Sequence, residues 1–126
     1  AQQAFAIEPE DDAGSVYEKA AVLAVELLDG VLESPRFEEQ PSEGSTYADK
    51  ITAKDRRLDL ALPPAALVDT VRALSPHIGA RAMLHGRDVT IWRAQVGPGG
   101  AFEPVEVQPD GGRRMAYEAW LRGLRP

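Results

Sequence analysis

Apolar residues return at helical spacing early in the chain, at Val16, Ala20, Leu23, Leu27 and Val31, with Tyr17, Ala24 and Leu28 widening the face. This pattern predicts a long helix that ends near Ser34, because Pro35 disfavours helical geometry in the residue before it. Two residues can cap its start, Asp12 or Ser15. Ser15 with Glu18 three positions on fits the reciprocal box, in which the side chain of each residue accepts from the other's backbone amide. Ahead of the helix, Ala4 to Ile7 has the length and apolar character of a short strand, and Glu8 to Asp12 reads as an acidic turn. So wide an apolar face calls for a cover.

Residues 34–45, SPRFEEQPSEGS, hold two prolines, a glycine and few apolar side chains, which marks a solvated linker. Beyond it the periodicity shortens. Thr52 with Asp55 suggests a capping box for one short helical turn, and Leu58, Leu60 and Leu62 alternate as a strand does. Pro63 and Pro64 suit the first turn of a helix, where a missing N–H is harmless, and Leu67, Val71 and Leu74 form its buried stripe before Pro76. Ala82, Leu84, Val89, Ile91 and Arg93 fall into two alternating segments around His85-Gly86-Arg87-Asp88, a hairpin signature. A turn at residues 97–100, a strand carrying Phe102, Val105 and Val107, and a turn at 108–112 follow. Met115 to Leu124 closes the chain as an amphipathic helix with Tyr117, Trp120, Leu121 and Leu124 on one side. Short strands with packed helices predict a mostly β unit with helices, a small partly open barrel.

Composition adds constraints. A chain of 126 residues with 44% hydrophobic content supports one compact domain plus an appendage. Cysteine is absent, which excludes disulfides and thiolate metal sites and points to the cytoplasm as a reducing compartment. No apolar run approaches the roughly 18 residues of a membrane span, and the first residues lack the pattern of a signal peptide. The only methionines are Met83 and Met115, so a fragment of a longer protein is expected. The net charge of -6 conceals an asymmetry: residues 1–46 hold 11 acidic and 2 basic groups, whereas residues 47–126 hold 9 acidic and 12 basic. A local basic surface can attract nucleic acid even when the whole chain is acidic.

Catalytic chemistry is not visible. His77 and His85, with no cysteine or carboxylate cluster beside them, make a poor metal site, and His77 is expected to pack. The GPGG stretch lacks the lysine of a phosphate loop, and no serine stands in a G-x-S-x-G elbow. Trp92 and Trp120 are expected in the core rather than stacked on bases, with Arg93 facing solvent. The basic residues carry the one physical signal of function: if several converge, they form a phosphate track. The plain alternative is a mixed surface in which Arg72 pairs with Asp69 and Arg57 with Asp59.

Six short motifs occur in order: TYADKI at 46–51, RLDL at 57–60, LPPA at 62–65, RALSP at 72–76, Gly79-Ala80, and VTIWRA at 89–94. Together they resemble the C-terminal domain of the methionyl-tRNA formyltransferase family. Asp11, Gly14, Val16, Tyr17 and Lys19 resemble the last helix of that family's catalytic domain, and residues 102–115 its closing segment. The resemblance implies residues 1–33 as the end of a Rossmann-like formyltransferase domain, 34–45 as a linker and 46–126 as an oligonucleotide-binding (OB) fold. It also implies a parent enzyme that formylates initiator methionyl-tRNA from 10-formyltetrahydrofolate. The family's catalytic and folate-binding residues lie in the N-terminal domain, so no catalytic, cofactor-binding or metal residue is assigned to this chain.

The role left to this segment is to hold tRNA by its backbone, with Lys50, Lys54, Arg56, Arg81, Arg87, Arg93, Arg113 and Arg114 as the candidate residues and Lys50 nearest the RNA. Its implied partners are that tRNA and its own N-terminal catalytic domain, with no membrane, and the protein is expected as a monomer. A sugar-nucleotide N-formyltransferase domain and a stand-alone protein-interaction module are the alternatives. One departure bears on the fold. The family carries two further strands between its W-(R/K)-A strand and the closing segment, where this chain has only QVGPGGA. The chain either trims this loop or lacks residues there, and a barrel short of two strands would expose edges.

Overall fold

A computed structural model describes residues 1–124 of the chain. Its elements in order are α1 (Ala13–Glu33), α2 (Pro64–Leu74), β1 (Ala80–Leu84), β2 (Arg87–Val96), β3 (Phe102–Pro109), β4 (Met115–Ala116) and α3 (Tyr117–Leu124). Helical residues outnumber strand residues, so the expected mostly β character gives way to a mixed architecture.

The core forms where α2 meets the sheet. Pro64 occupies the first turn of α2, and Leu67, Val71 and Leu74, spaced by three and four, are buried along one face. They pack on Ala80, Ala82, Val89, Ile91 and Val107, with Trp120 of α3 and Leu58 completing the cluster. Each Leu, Val or Ile side chain in this cluster contributes about 1.5–3 kcal/mol through its removal from water. The β1–β2 turn puts both His85 (φ 50°) and Gly86 (φ 73°) in the left-handed region, the geometry that matches the twist of paired strands. Register follows burial: Ala80 faces Ile91 and Ala82 faces Val89 inside, while Arg81 opposite Thr90 points to the other side.

All strands are antiparallel and lie in chain order, β1-β2-β3-β4, so the sheet is open and does not close into a barrel. The reason is the short Gly97–Gly100 turn, where Gly97 donates to Ala101 and Gly100 to Gly97. It sends β2 directly into β3 and leaves no chain to bridge β1 and β4. Glu103 and Pro104 lie on the stretch of β3 that has no partner on its β4 side, a charge and a missing donor that blunt this edge.

Three local expectations change. Leu58, Leu60 and Leu62 do not form a strand: Asp59 accepts from the Ala61 amide and, through its carbonyl, from Leu62, which turns the chain. Only Leu58 is buried, held by its amide to Arg81 O at 2.8 Å, and Leu60 and Leu62 are exposed. Thr52 and Asp55 make a turn rather than a helix, with the Asp55 carboxylate accepting from the Thr52 hydroxyl and amide. The Thr52 hydroxyl, then its amide, holds the Asp55 carboxyl below the usual carboxylate range. Ala4 to Ile7 forms no strand. It runs back along α1, with Ile7 beside Val16 and Tyr17, Phe5 beside Val22 and Leu23, and Ala1 beside Leu27 and Val31.

Helix α1 is capped by Asp12, not Ser15: Asp12 accepts from the Ser15 amide and Ser15 Oγ from the Asp12 amide. The predicted stripe Val16, Ala20, Leu23, Leu27 and Val31 is half-buried and no residue within the helix is fully buried. Val22, Val25, Leu28 and Leu32 are exposed. Amides of α1 beyond Ala20 should therefore exchange with solvent faster than those of α2, and equal protection by hydrogen exchange would contradict this packing.

Asp11, just before the cap, receives Lys19 Nζ, the Glu8 amide and Ser15 Oγ. The Lys19 hydrogen bond first, then that of Glu8, lowers its pKa to about 2. A depressed carboxylate stabilises the fold fully above its ordinary pKa of 3.8, and that contribution fades as pH falls towards 2. Protection of the first turn of α1 should decline across this window in the native chain. Asp11→Asn should lack that step; a step of unchanged size would assign it to another group.

Candidate nucleic-acid interface

The sheet face turned away from α2 presents Arg81, Thr90, Trp92 and Gln108. Trp92 occupies a β-bulge, where the register moves from Ile91↔Val107 to Arg93↔Glu106. Its indole N–H donates to Gln108 Oε1 at 3.1 Å, and Gln108 Nε2 in turn donates to Gly112 O at 3.0 Å. Gly79 lies against the ring, where a Cβ would come within 2.9 Å of Trp92 Cη2. Above it the Arg114 guanidinium carbon stands 3.5 Å from the ring centroid, while Arg114 Nη2 donates to Pro76 O at 3.0 Å. Trp92 is thus half-buried on the outer face and not in the core as expected, whereas Trp120 is buried there. Alternation with the buried Ile91 explains the difference: the residue after it falls on the opposite face.

Two more guanidiniums attach to the same region. Arg56 donates to Ile78 O at 2.8 Å and Gly79 O at 3.2 Å, and Arg81 pairs with Asp110 at 2.6 Å. Arg57 pairs with Asp88 at 3.3 Å rather than with Asp59, whose carboxylate is turned to its own chain. Arg72 does pair with Asp69, at 3.0 Å. Of the eight basic residues proposed for a phosphate track, Arg56 and Arg114 donate to backbone carbonyls within residues 76–79, and the Arg81 side chain is directed to Asp110. Lys50, Lys54, Arg87, Arg93 and Arg113 are exposed and take part in no ion pair among the described residues. Lys50 and Lys54 lie on the exposed approach to Arg56, and Arg87 lies at the far end of β2 beside the hairpin turn.

Both histidines are exposed, His77 against the expectation that it packs, and each lies near an aromatic ring. His77 lies 6.2 Å from Tyr17, and His85 shares a 3.1 Å hydrogen bond with the Tyr117 hydroxyl, whose pKa burial raises. Among the described residues no group of three or more His, Cys, Asp or Glu is placed to hold a metal, and no helix is long and apolar enough to cross a membrane. Gln108 and Asp110 escaped the sequence reading. Alternation with the buried Val107 was the signal that placed Gln108 outward.

Residues 50–101, which span α2, the β1–β2 hairpin and the turn into β3, match the family described as formyl transferase, C-terminal domain. That segment belongs to the formyl transferase C-terminal domain family. Over the wider chain, a methionyl-tRNA formyltransferase of Parafrankia sp. is 31% identical across 95% of this chain and 48% of its own length. Those of Albidiferax ferrireducens (30%, covering 97% of this chain and 47% of the relative) and Saccharopolyspora erythraea (32%, 91% and 46%) are similar. The chain spans about half the length of the curated relatives it matches. The Parafrankia alignment runs over 149 positions, more than the 126 residues of this chain, so that formyl transferase relative carries residues that have no counterpart here.

Proposed function

We propose that this chain is the C-terminal part of a methionyl-tRNA formyltransferase and that residues 46–126 hold tRNA by its phosphates. In this reading residues 1–33 end the catalytic domain, 34–45 are the linker, and the open sheet is an abbreviated oligonucleotide-binding barrel. The parent enzyme transfers a formyl group from 10-formyltetrahydrofolate to initiator methionyl-tRNA in the cytoplasm. The observation that carries the reading is the guanidinium-rich outer sheet face in a segment whose relatives are named for a tRNA substrate. Phosphate contacts of this kind position the RNA without reading its sequence.

The full chain should bind bulk tRNA weakly and without sequence preference, and should show no formyl transfer alone. With three to five phosphate contacts, the log-log dependence of affinity on salt should have a slope of about -2 to -5, from roughly 0.7–0.9 per contact. Lys50→Glu should weaken binding to every RNA alike and flatten the slope by about one contact. Removing the acidic residues 1–45 should strengthen binding within the roughly 8–10 Å reach of unscreened charge. Salt-independent affinity would make the basic residues an ordinary solvated surface.

A further inference from the structure

We infer that Arg114 is a pre-organised phosphate anchor and that the Trp92 ring is the device that holds it. The inference deepens the tRNA-binding reading and rests on it. A solvent-exposed arginine samples many rotamers, and the side-chain entropy lost in ordering it on a ligand opposes binding. Arg114 has been ordered beforehand. One face of its guanidinium lies 3.5 Å from the Trp92 centroid, and Nη2 is fixed at 3.0 Å to Pro76 O. The platform beneath it is itself held, by Gln108 at the indole nitrogen and by Gly79 against the ring.

What remains open on Arg114 suits an oxyanion. Nε and Nη1 make no hydrogen bond among the described residues, and no carboxylate pairs with this guanidinium. The contrast with its neighbours is instructive. Arg81 is equally ordered but neutralised by Asp110, and Arg56 directs Nε and Nη2 into the carbonyls of Gly79 and Ile78. Arg113, adjacent in sequence and exposed, supplies charge without a fixed position. Among the described basic residues, Arg56 and Arg114 both combine a fixed plane with a charge that no carboxylate pairs, but Arg56 has committed its Nε–Nη2 edge to two carbonyls whereas Arg114 has committed a single donor. The ligand class is a phosphodiester of the RNA backbone, bound through the guanidinium edge while the ring contact persists.

The test uses the full chain and bulk tRNA, with affinity read by fluorescence anisotropy at several salt concentrations. Trp92→Leu changes no charge, yet it should weaken binding about two- to fivefold with an unaltered salt slope, the loss expected when an exposed cation–π contact no longer orders the cation. Arg114→Lys keeps both the ring and the charge and should show the same loss at the same slope, which guards against a folding defect in the tryptophan variant. Arg114→Ala should weaken binding further and reduce the slope by about one contact. Trp92→Leu added to Arg114→Ala should then change nothing more. Wild-type affinity in both Trp92→Leu and Arg114→Lys would overturn the anchor while leaving tRNA binding intact. Absence of tRNA binding by the native chain would overturn the functional reading and the anchor together.

Discussion

Gly79→Ala should destabilise the packing of α2 on the sheet by about 2–5 kcal/mol, the sum of left-handed backbone strain and a steric clash. The strain follows from φ of 77°, adopted where Gly79 donates its amide to Leu74 O at 2.9 Å and ends α2. The clash follows from the packing below the sheet's outer face: a Cβ would lie 2.9 Å from Trp92 Cη2 and 3.0 Å from Cζ3, and would also meet the Thr90 methyl. The ring cannot retreat easily, because Gln108 holds its nitrogen and Arg114 covers one of its faces. Gly111→Ala is the matched control. Gly111 has a similar φ of 74° with open space where the methyl would go, so its substitution isolates the strain, about 1–2 kcal/mol. Urea unfolding followed by tryptophan fluorescence measures both, and equal losses would show that Trp92 does not pack on Gly79 as described.

This glycine also shows what the chain discloses before folding and what it does not. Helix α2 was legible because its information is local: Pro64 sets the start and the spacing of Leu67, Val71 and Leu74 sets the face. The hairpin was legible for the same reason, alternation on both sides of His85-Gly86. Leu58, Leu60 and Leu62 alternate equally well, yet Asp59 turns the chain, and the prolines that follow have no N–H to offer a neighbouring strand. At the candidate interface the charges were legible and their destinations were not. Arg114 reaches Pro76 across 38 positions and Arg56 reaches Ile78 across 22, contacts that no short-range pattern encodes. The bulge after Ile91, which leaves Arg93 exposed and brings Ala94 against the core, depends on pairing with β3 and is equally hidden.

Arg72→Ala should detach the start of α1 from α2 while leaving the core intact. Read from sequence, Arg72 is a surface partner of Asp69, and that pair exists at 3.0 Å. Its other nitrogens make the more consequential contacts: Nε donates to Asp11 O at 2.7 Å and Nη2 to Glu8 O at 2.8 Å. The acceptors bracket the turn that Asp11 closes onto Glu8, immediately before the Asp12 cap. Gly14 lies against Pro76 in the same contact, close enough that a Cβ there would come within 2.7 Å of Pro76 Cδ. Two hydrogen bonds from a charged donor, discounted for a side chain still 28% exposed, contribute about 2–3 kcal/mol to local stability. Amides in the first two turns of α1 should therefore exchange roughly 30- to 100-fold faster in Arg72→Ala, at about 1.4 kcal/mol per tenfold. Arg72→Lys should behave nearly as badly, since a point ammonium does not reproduce the planar fork that spans two carbonyls. Asp69→Ala removes the surface ion pair but keeps both carbonyl contacts, so its effect should stay within about threefold, as expected of an exposed pair. If Asp69→Ala accelerates exchange as much as Arg72→Ala does, the ion pair holds this contact and the carbonyl bonds do not.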